Sequence, residues 1–348
     1  MSILIRPAGD NDVPGIVNLI EDRIGAEDAP EAQLVLDDPE YDRTRWTVAV
    51  DGDRVVSTMG TYPMRARLGI CELPAAIVEF VATDGDYEGR GLIRQQFDYH
   101  HADLARRGEL FEVIVGITYF YRRFGYEYAL PVAPWQAIAA ADVPPMPHGW
   151  SVREAVKGDR ETILALQGPT QESAGFSVGL SDQMWSFLLR SPVYVTLIAE
   201  LDGVPRACGR MYMDDADPFV MDLAGDTREG LHAVVAGVAA RNPGQDLTIL
   251  TRSAAEPNLD DIGTLAQDGQ AYYSRIGDPV RWLNAVRPEL SRRLRKSSLA
   301  DGEGEAMISL YSSSIQFSYA RGQVGEFVLG PGEPAPISKG GSGIPPDL

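Results

Sequence analysis

Ile77-Val-Glu-Phe-Val-Ala-Thr83 reads as a strand. It runs into Asp84-Gly-Asp-Tyr-Glu-Gly-Arg-Gly-Leu-Ile-Arg94, after which a helix continues to about Arg107. A strand, a glycine loop and a helix in that order can hold a phosphate group. Gly89 and Gly91 let the backbone turn tightly against an anion, and the free N–H groups and positive dipole end of the helix stabilise its charge. Arg90 and Arg94 add cationic donors beside it. The same short loop also describes many surface turns, so a second element has to carry the chemistry. That element is the buried strand over 110–117 and the run Thr118-Tyr-Phe-Tyr-Arg-Arg-Phe-Gly-Tyr-Glu127. Taken alone, Tyr121 in this aromatic stretch is a packing residue.

Other chemistries fit less well. A dinucleotide site would need a third glycine or alanine where Arg94 stands, and Gly89-x-Gly91 alone does not define one. His100, His101, His148 and His232 are scattered and no His-Glu-x-x-His pattern occurs, so no metal site is expected. Cys71 and Cys208 each sit in strand-like stretches far apart, which reads as two core residues and not a disulfide. The basic cluster Arg292 to Lys296 ends a helix expected from Pro288, where it complements the C-terminal dipole.

The elements that position these residues are written twice. A strand over 3–6 leads into Asp10-Asn-Asp12, any of which can cap the following helix, whose buried face is Val13, Ile16, Val17 and Ile20. Val152-Arg-Glu-Ala155, Asp159 and Ile163 repeat the pattern 147 positions later. Each copy then has a hairpin, Trp46–Val50 with Arg54–Met59 around Asp51-Gly52, and Tyr194–Leu201 with Val204–Met213 around Asp202-Gly203. The loop of the second copy, Ala224 to His232, has no comparable closely spaced glycine pair and lacks the spaced arginines; it is expected to have kept the fold and lost the site. Val143-Pro-Pro-Met-Pro-His-Gly149 breaks the chain between copies. The expected division is therefore 1–147, 148–285 and a β-rich 286–348, with residues 330–348 loose.

A net charge of −19 over 348 residues argues against nucleic acid as a partner. It suits solubility, and it would attract cationic substrates. No run of apolar residues is long enough to span a bilayer and the N-terminus lacks a leader pattern, so a cytoplasmic protein without membrane insertion is expected.

Glu-Gly-Arg-Gly-Leu-Ile-Arg94 and Phe-Tyr-Arg-Arg-Phe-Gly-Tyr-Glu127 together resemble the pyrophosphate loop and catalytic-tyrosine segment of the GNAT superfamily of N-acetyltransferases. With the duplication and the third region, including Ala271 to Leu283, the chain is similar over nearly its whole length to the enhanced-intracellular-survival (Eis) branch. The resemblance implies an α/β fold of mixed sheets: tandem GNAT domains followed by a shortened sterol-carrier-like segment. It implies acetyl-CoA as co-substrate, with Val81, Ala82 and Thr83 facing the pantetheine arm and Gly89, Arg90, Gly91, Leu92, Ile93 and Arg94 around the pyrophosphate. Tyr121 becomes the general acid that protonates the departing thiolate, and the acceptor is an amine of a cationic small molecule or a lysine side chain. A homo-oligomer is also implied. Glu88 departs from the motif, which has Arg or Gln there, and Ile93 replaces a small residue. The branch also uses its C-terminal carboxylate, a role not carried over to Leu348; Glu79, acting through a water, is the candidate base. The competing non-catalytic reading is an acyl-CoA-binding or scaffold module of the same shape.

Overall fold

A computed structural model describes residues 3–330 except 132–133, 174, 192, 213–217, 251–258, 260, 268–270 and 311–312; the tail over 331–348, expected to be loose, lies outside the described residues. The chain forms two compact units, Met1–Gly277 and Asp278–Leu348.

In the first unit, β1 (Leu4–Pro7) precedes helices α1 (Val13–Arg23) and α2 (Asp28–Asp37), and the long hairpin follows as β2 (Trp46–Asp51), β3 (Arg54–Leu68) and β4 (Cys71–Thr83). Helix α3 (Leu92–Arg107), β5 (Phe111–Ile114), β6 (Glu127–Pro131) and β7 (Trp135–Ile138) complete this half. The second half runs β8 (Trp150–Glu154), α4 (Arg160–Ser173), β9 (Phe176–Leu180), α5 (Asp182–Leu188), β10 (Tyr194–Leu201), β11 (Val204–Tyr212), β12 (Phe219–Gly225), α6 (Arg228–Arg241), β13 (Leu247–Leu250), β14 (Thr264–Gln267) and β15 (Ala271–Arg275). These are mixed α/β sheets, as the sequence predicts.

The repeat is reproduced at the level of single hydrogen bonds. Arg6 grips Asp12 with both guanidinium nitrogens, and Asp12 Oδ2 accepts the Gly9 N–H at 2.7 Å. Arg153 grips Asp159 in the same way, and Asp159 Oδ2 accepts the Val156 N–H at 2.8 Å. Asp12 therefore ties the entry to the helix back to the preceding strand and does not cap the α1 amides. Burial of α1 and α2 against Trp46, Val48 and Tyr62 joins Trp185, Phe187 and Ile198 of the second half in one apolar core.

The halves exchange their last strands. The first sheet has the order β1-β2-β3-β4-β5-β15-β6, and the second β14-β7-β13-β12-β11-β10-β8. In each, a parallel pair leaves the fifth strand with an open edge: β4 with β5, β12 with β13. Unpaired backbone at that edge requires a partner, and the antiparallel strand of the other half supplies it. Glu112 on β5 ion-pairs with Arg275 on β15 and accepts the Tyr126 hydroxyl at 2.7 Å. β9 also pairs with β3, Met64 opposite Leu180.

The second unit consists of α7 (Pro279–Leu294) and strands β16 (Glu303–Ser309), β17 (Ser314–Ala320), β18 (Gln323–Val324) and β19 (Val328–Gly330). Asp278 caps α7 through the Arg281 N–H at 3.0 Å, so the helix begins nine residues before the expected Pro288, which it accommodates internally. Arg292 and Arg293 lie in the last turn of α7, where both also donate to the fully buried Glu289. Cys71 and Cys208 are both buried free thiols.

Candidate active site

Strands β4 and β5 run together only as far as Val78 opposite Ile114, after which β4 continues alone through residues 79–83. Across the other edge, Gly60 faces Glu79 and Thr58 faces Ala82, so Met59 opposes both Phe80 and Val81. This is a β-bulge, and Phe80 takes a φ of 55°, held there by its ring stacked on buried Trp46 at 5.4 Å. Splay and bulge together open the strand end, where a cavity of about 500 Å³ lies.

The wall of that cavity holds Val81, Ala82 and Thr83 on the strand, Gly89, Gly91, Leu92, Ile93 and Arg94 at the helix start, and Tyr121 opposite. Gly89 and Gly91 have φ of 73° and 75° with nothing within 4 Å of an added Cβ, so glycine is required by backbone conformation and not by crowding. Gly91 is the N-cap of α3, and among the described residues no side-chain cap bond is made to its first amides. Leu92, Ile93 and Arg94, the first residues of the helix, line the cavity.

Not all of the sequence-predicted set meets there. Arg90 is outside the lining: its guanidinium lies 4.4 Å over the Tyr87 ring and donates to the Asp86 carbonyl. Glu79 is also outside the lining. Sequence reasoning missed Arg23, at the end of α1, and Arg123, both of which line the cavity. Nothing in the local pattern of α1 signals that its last residue reaches a loop 65 positions away.

Tyr121 stands at the start of a single 3-10 turn, Tyr121–Phe124. It is 5% exposed, held by the edges of Phe97, Phe120 and Tyr273, the last contributed by the exchanged β15. Gly116 makes room for it, since a Cβ there would lie 3.1 Å from the Tyr121 hydroxyl. Burial, then the charges of Glu79 and Tyr273, push the phenol up to about 12, so it is protonated at neutral pH and able to donate a proton.

Beside Tyr121 is an acidic cluster. Burial first, then the charges of Glu31 and Asp28 on α2, raise Glu79 to about 8. The carboxyl of Glu79, the candidate base of the sequence reading, therefore changes its protonation state about one unit above neutrality. Glu31 is itself raised by burial and accepts the Tyr194 hydroxyl at 2.9 Å, while Arg210 lies over the Tyr194 ring at 4.5 Å. The buried Tyr62 hydroxyl, within the field of Glu31 and Glu79, has no hydrogen-bond partner among the described residues.

The second half repeats the bulge, with Asp222 at φ 53° where Phe80 stands in the first. Here it is filled: Gln167 donates its side-chain N–H to the Asp222 carbonyl, and Thr227 caps α6 through the Gly230 N–H at 3.2 Å. Among the described residues no group of His, Cys, Asp and Glu could hold a metal ion, and no helix is long and apolar enough to cross a membrane.

Residues 4–129 match the family model of the acetyltransferase (GNAT) domain. Such domains bind acetyl-CoA generally. Among solved structures, a GCN5-related N-acetyltransferase from Anabaena variabilis is similar with a TM-score of 0.71 at 14% identity, covering 94% of this chain and 86% of that one. One from Kribbella flavida gives 0.67 at 17%, covering 96% and 86%. Eis1 from Mycobacterium abscessus gives 0.62 at 16%, covering 96% and 86%. At these identities the likeness is one of fold. No curated protein sequence matches the chain significantly.

Proposed function

We propose that the protein is an N-acetyltransferase that moves an acetyl group from acetyl-CoA to the primary amine of a cationic acceptor, a small molecule or a lysine side chain. The observation that carries this reading is the convergence on one cavity of an uncapped helix start behind two left-handed glycines and a phenol kept protonated. The pyrophosphate lies on the amides after Gly89 and Gly91 with Arg94, and the pantetheine arm runs along Val81 to Thr83. The amine attacks the thioester carbonyl, and Tyr121 gives its proton to the sulfur as the C–S bond breaks. Glu79, through a water, takes the proton lost by the amine. The charges of Asp28 and Glu31, which raise Glu79, make the acceptor side negative and favour a cation over a neutral amine. The capped helix and filled bulge of the second half support a single site per chain.

The test follows free thiol while the protein is incubated with acetyl-CoA and a panel of polyamines, aminoglycosides and lysine peptides. Tyr121→Phe should lower turnover about 100-fold, a usual loss for a general acid, with coenzyme affinity by calorimetry unchanged. Undiminished turnover would remove Tyr121 from the mechanism; coenzyme binding without thiol release from any amine would leave an acyl-CoA-binding module.

A further inference from the structure

The glycine loop is poorly charged for an anion site. Asp84, Asp86 and Glu88 fall within it, and one of its two arginines, Arg90, is turned onto Tyr87 and away from the cavity. Asp84 is neutralised from outside by Arg54. Glu88, which lines the cavity, is neutralised by Arg23, from the last turn of α1. The two side chains are 40% and 58% exposed, so the pair is open to solvent and accessible to a ligand.

The guanidinium of Arg23 reaches the loop at two points. One Nη nitrogen bonds Glu88, and the other lies near Gly85, where an added Cβ would be 3.5 Å from it. Its remaining N–H groups have no acceptor among the described residues, and arginine presents five donors in a rigid fork. An arginine that lines the cavity, with donors to spare and a carboxylate holding one Nη, is arranged to take an oxygen of a bound phosphate.

We infer that Arg23 is a ligand of the coenzyme diphosphate and that Glu88 is its positioning residue, the pair replacing the cation that Arg90 does not supply. The inference rests on the coenzyme reading of this cavity. Glu88 acts through Arg23 and, left without it, repels the phosphates.

The experiment measures the dissociation constants of CoA and 3′-dephospho-CoA by calorimetry for the wild-type chain, Arg23→Ala, Glu88→Ala and the double variant, with thermal melting confirming that each is folded. Arg23→Ala should weaken CoA about tenfold or more, the loss of a charge-assisted bond. The same factor with 3′-dephospho-CoA places the contact on the diphosphate. In the double variant part of the loss should be recovered, because the stranded carboxylate is gone, yet binding should stay weaker than in Glu88→Ala. Unchanged affinity in Arg23→Ala overturns the inference, as does a double variant that binds as well as Glu88→Ala, which would make Arg23 only a neutraliser. A penalty that vanishes with 3′-dephospho-CoA also overturns it, since the contact would then be to the 3′-phosphate. These outcomes leave the coenzyme reading intact, whereas a wild-type chain that binds neither coenzyme overturns both.

Discussion

Glu79 and Tyr121 differ in what the sequence could say about them. Tyr121 was legible because it lies in a motif whose neighbours are fixed in spacing; its protonated state was not, since that comes from burial under Phe97 and Tyr273. The tuning of Glu79 was invisible in the same way, because the charges that raise it sit on α2, about fifty residues earlier. The geometry gives a pH profile. A base must be unprotonated to act, so kcat/KM should rise with pH through an apparent pKa near 8. Removing a neighbouring negative charge makes ionisation of Glu79 easier, so Glu31→Gln should move that rising limb to lower pH, and Glu79→Gln should abolish it. A limb at the same pH in all three proteins would be that of the acceptor amine, and Glu79 would lose its role.

At the scale of elements, the end of helix α3 at Arg107 was legible, whereas it starts at Leu92, inside the stretch read as loop through Arg94; Gly91 and Gly108 bracket it in the left-handed conformation. The bulge that opens β4 was not legible, since nothing in Ile77 to Thr83 separates a bulged strand from a regular one. How α3 is fastened to the sheet also emerges only from the fold. His100, 1% exposed, lies with its Nε2 at 2.9 Å from Thr47 Oγ1 and 3.2 Å from the Met59 carbonyl, and its Nδ1 is buried without a partner. Burial lowers its pKa to about 4, against small opposing effects of the Met59 bond and Asp103, with Arg107 acting in the same direction as burial. In the unfolded chain the imidazole takes up a proton near its ordinary pKa of 6.5, and in the folded one not until about 4. Between those values the unfolded state binds more protons, so stability present above pH 6.5 is lost as pH falls, by up to about 3 kcal/mol for this group. His100→Gln, which keeps a donor for the Met59 carbonyl, should therefore lose less melting temperature than the wild type between pH 7 and 5. Parallel losses would mean that the acid sensitivity originates elsewhere, with His101, lowered to about 3 by burial and Arg275, the next group to substitute.

For the whole molecule, duplication was readable from the 147-residue offset, but the exchange of strands was not, because a short apolar run such as Ala271–Arg275 carries no mark of which sheet it will join. The exchange makes the two halves of the first unit interdependent. β5 and β6 meet only through β15, and Tyr273 on that strand packs against Tyr121, so the chain that builds the candidate acid is completed by residues about 150 positions away. A fragment of residues 1–147 would leave both edges of the β15 slot unpaired, expose the apolar face that α1 and α2 share with Trp185 and Phe187, and strand Glu112 without Arg275. A buried charge deprived of its partner costs about 3–5 kcal/mol, comparable with the stability of many domains. That fragment should fail to fold, whereas residues 1–277 should unfold in urea in a single transition reported alike by far-ultraviolet circular dichroism and by tryptophan fluorescence. A soluble 1–147 fragment with its own cooperative transition would show that the first half is complete without the second, and the candidate acid would then owe nothing to Tyr273.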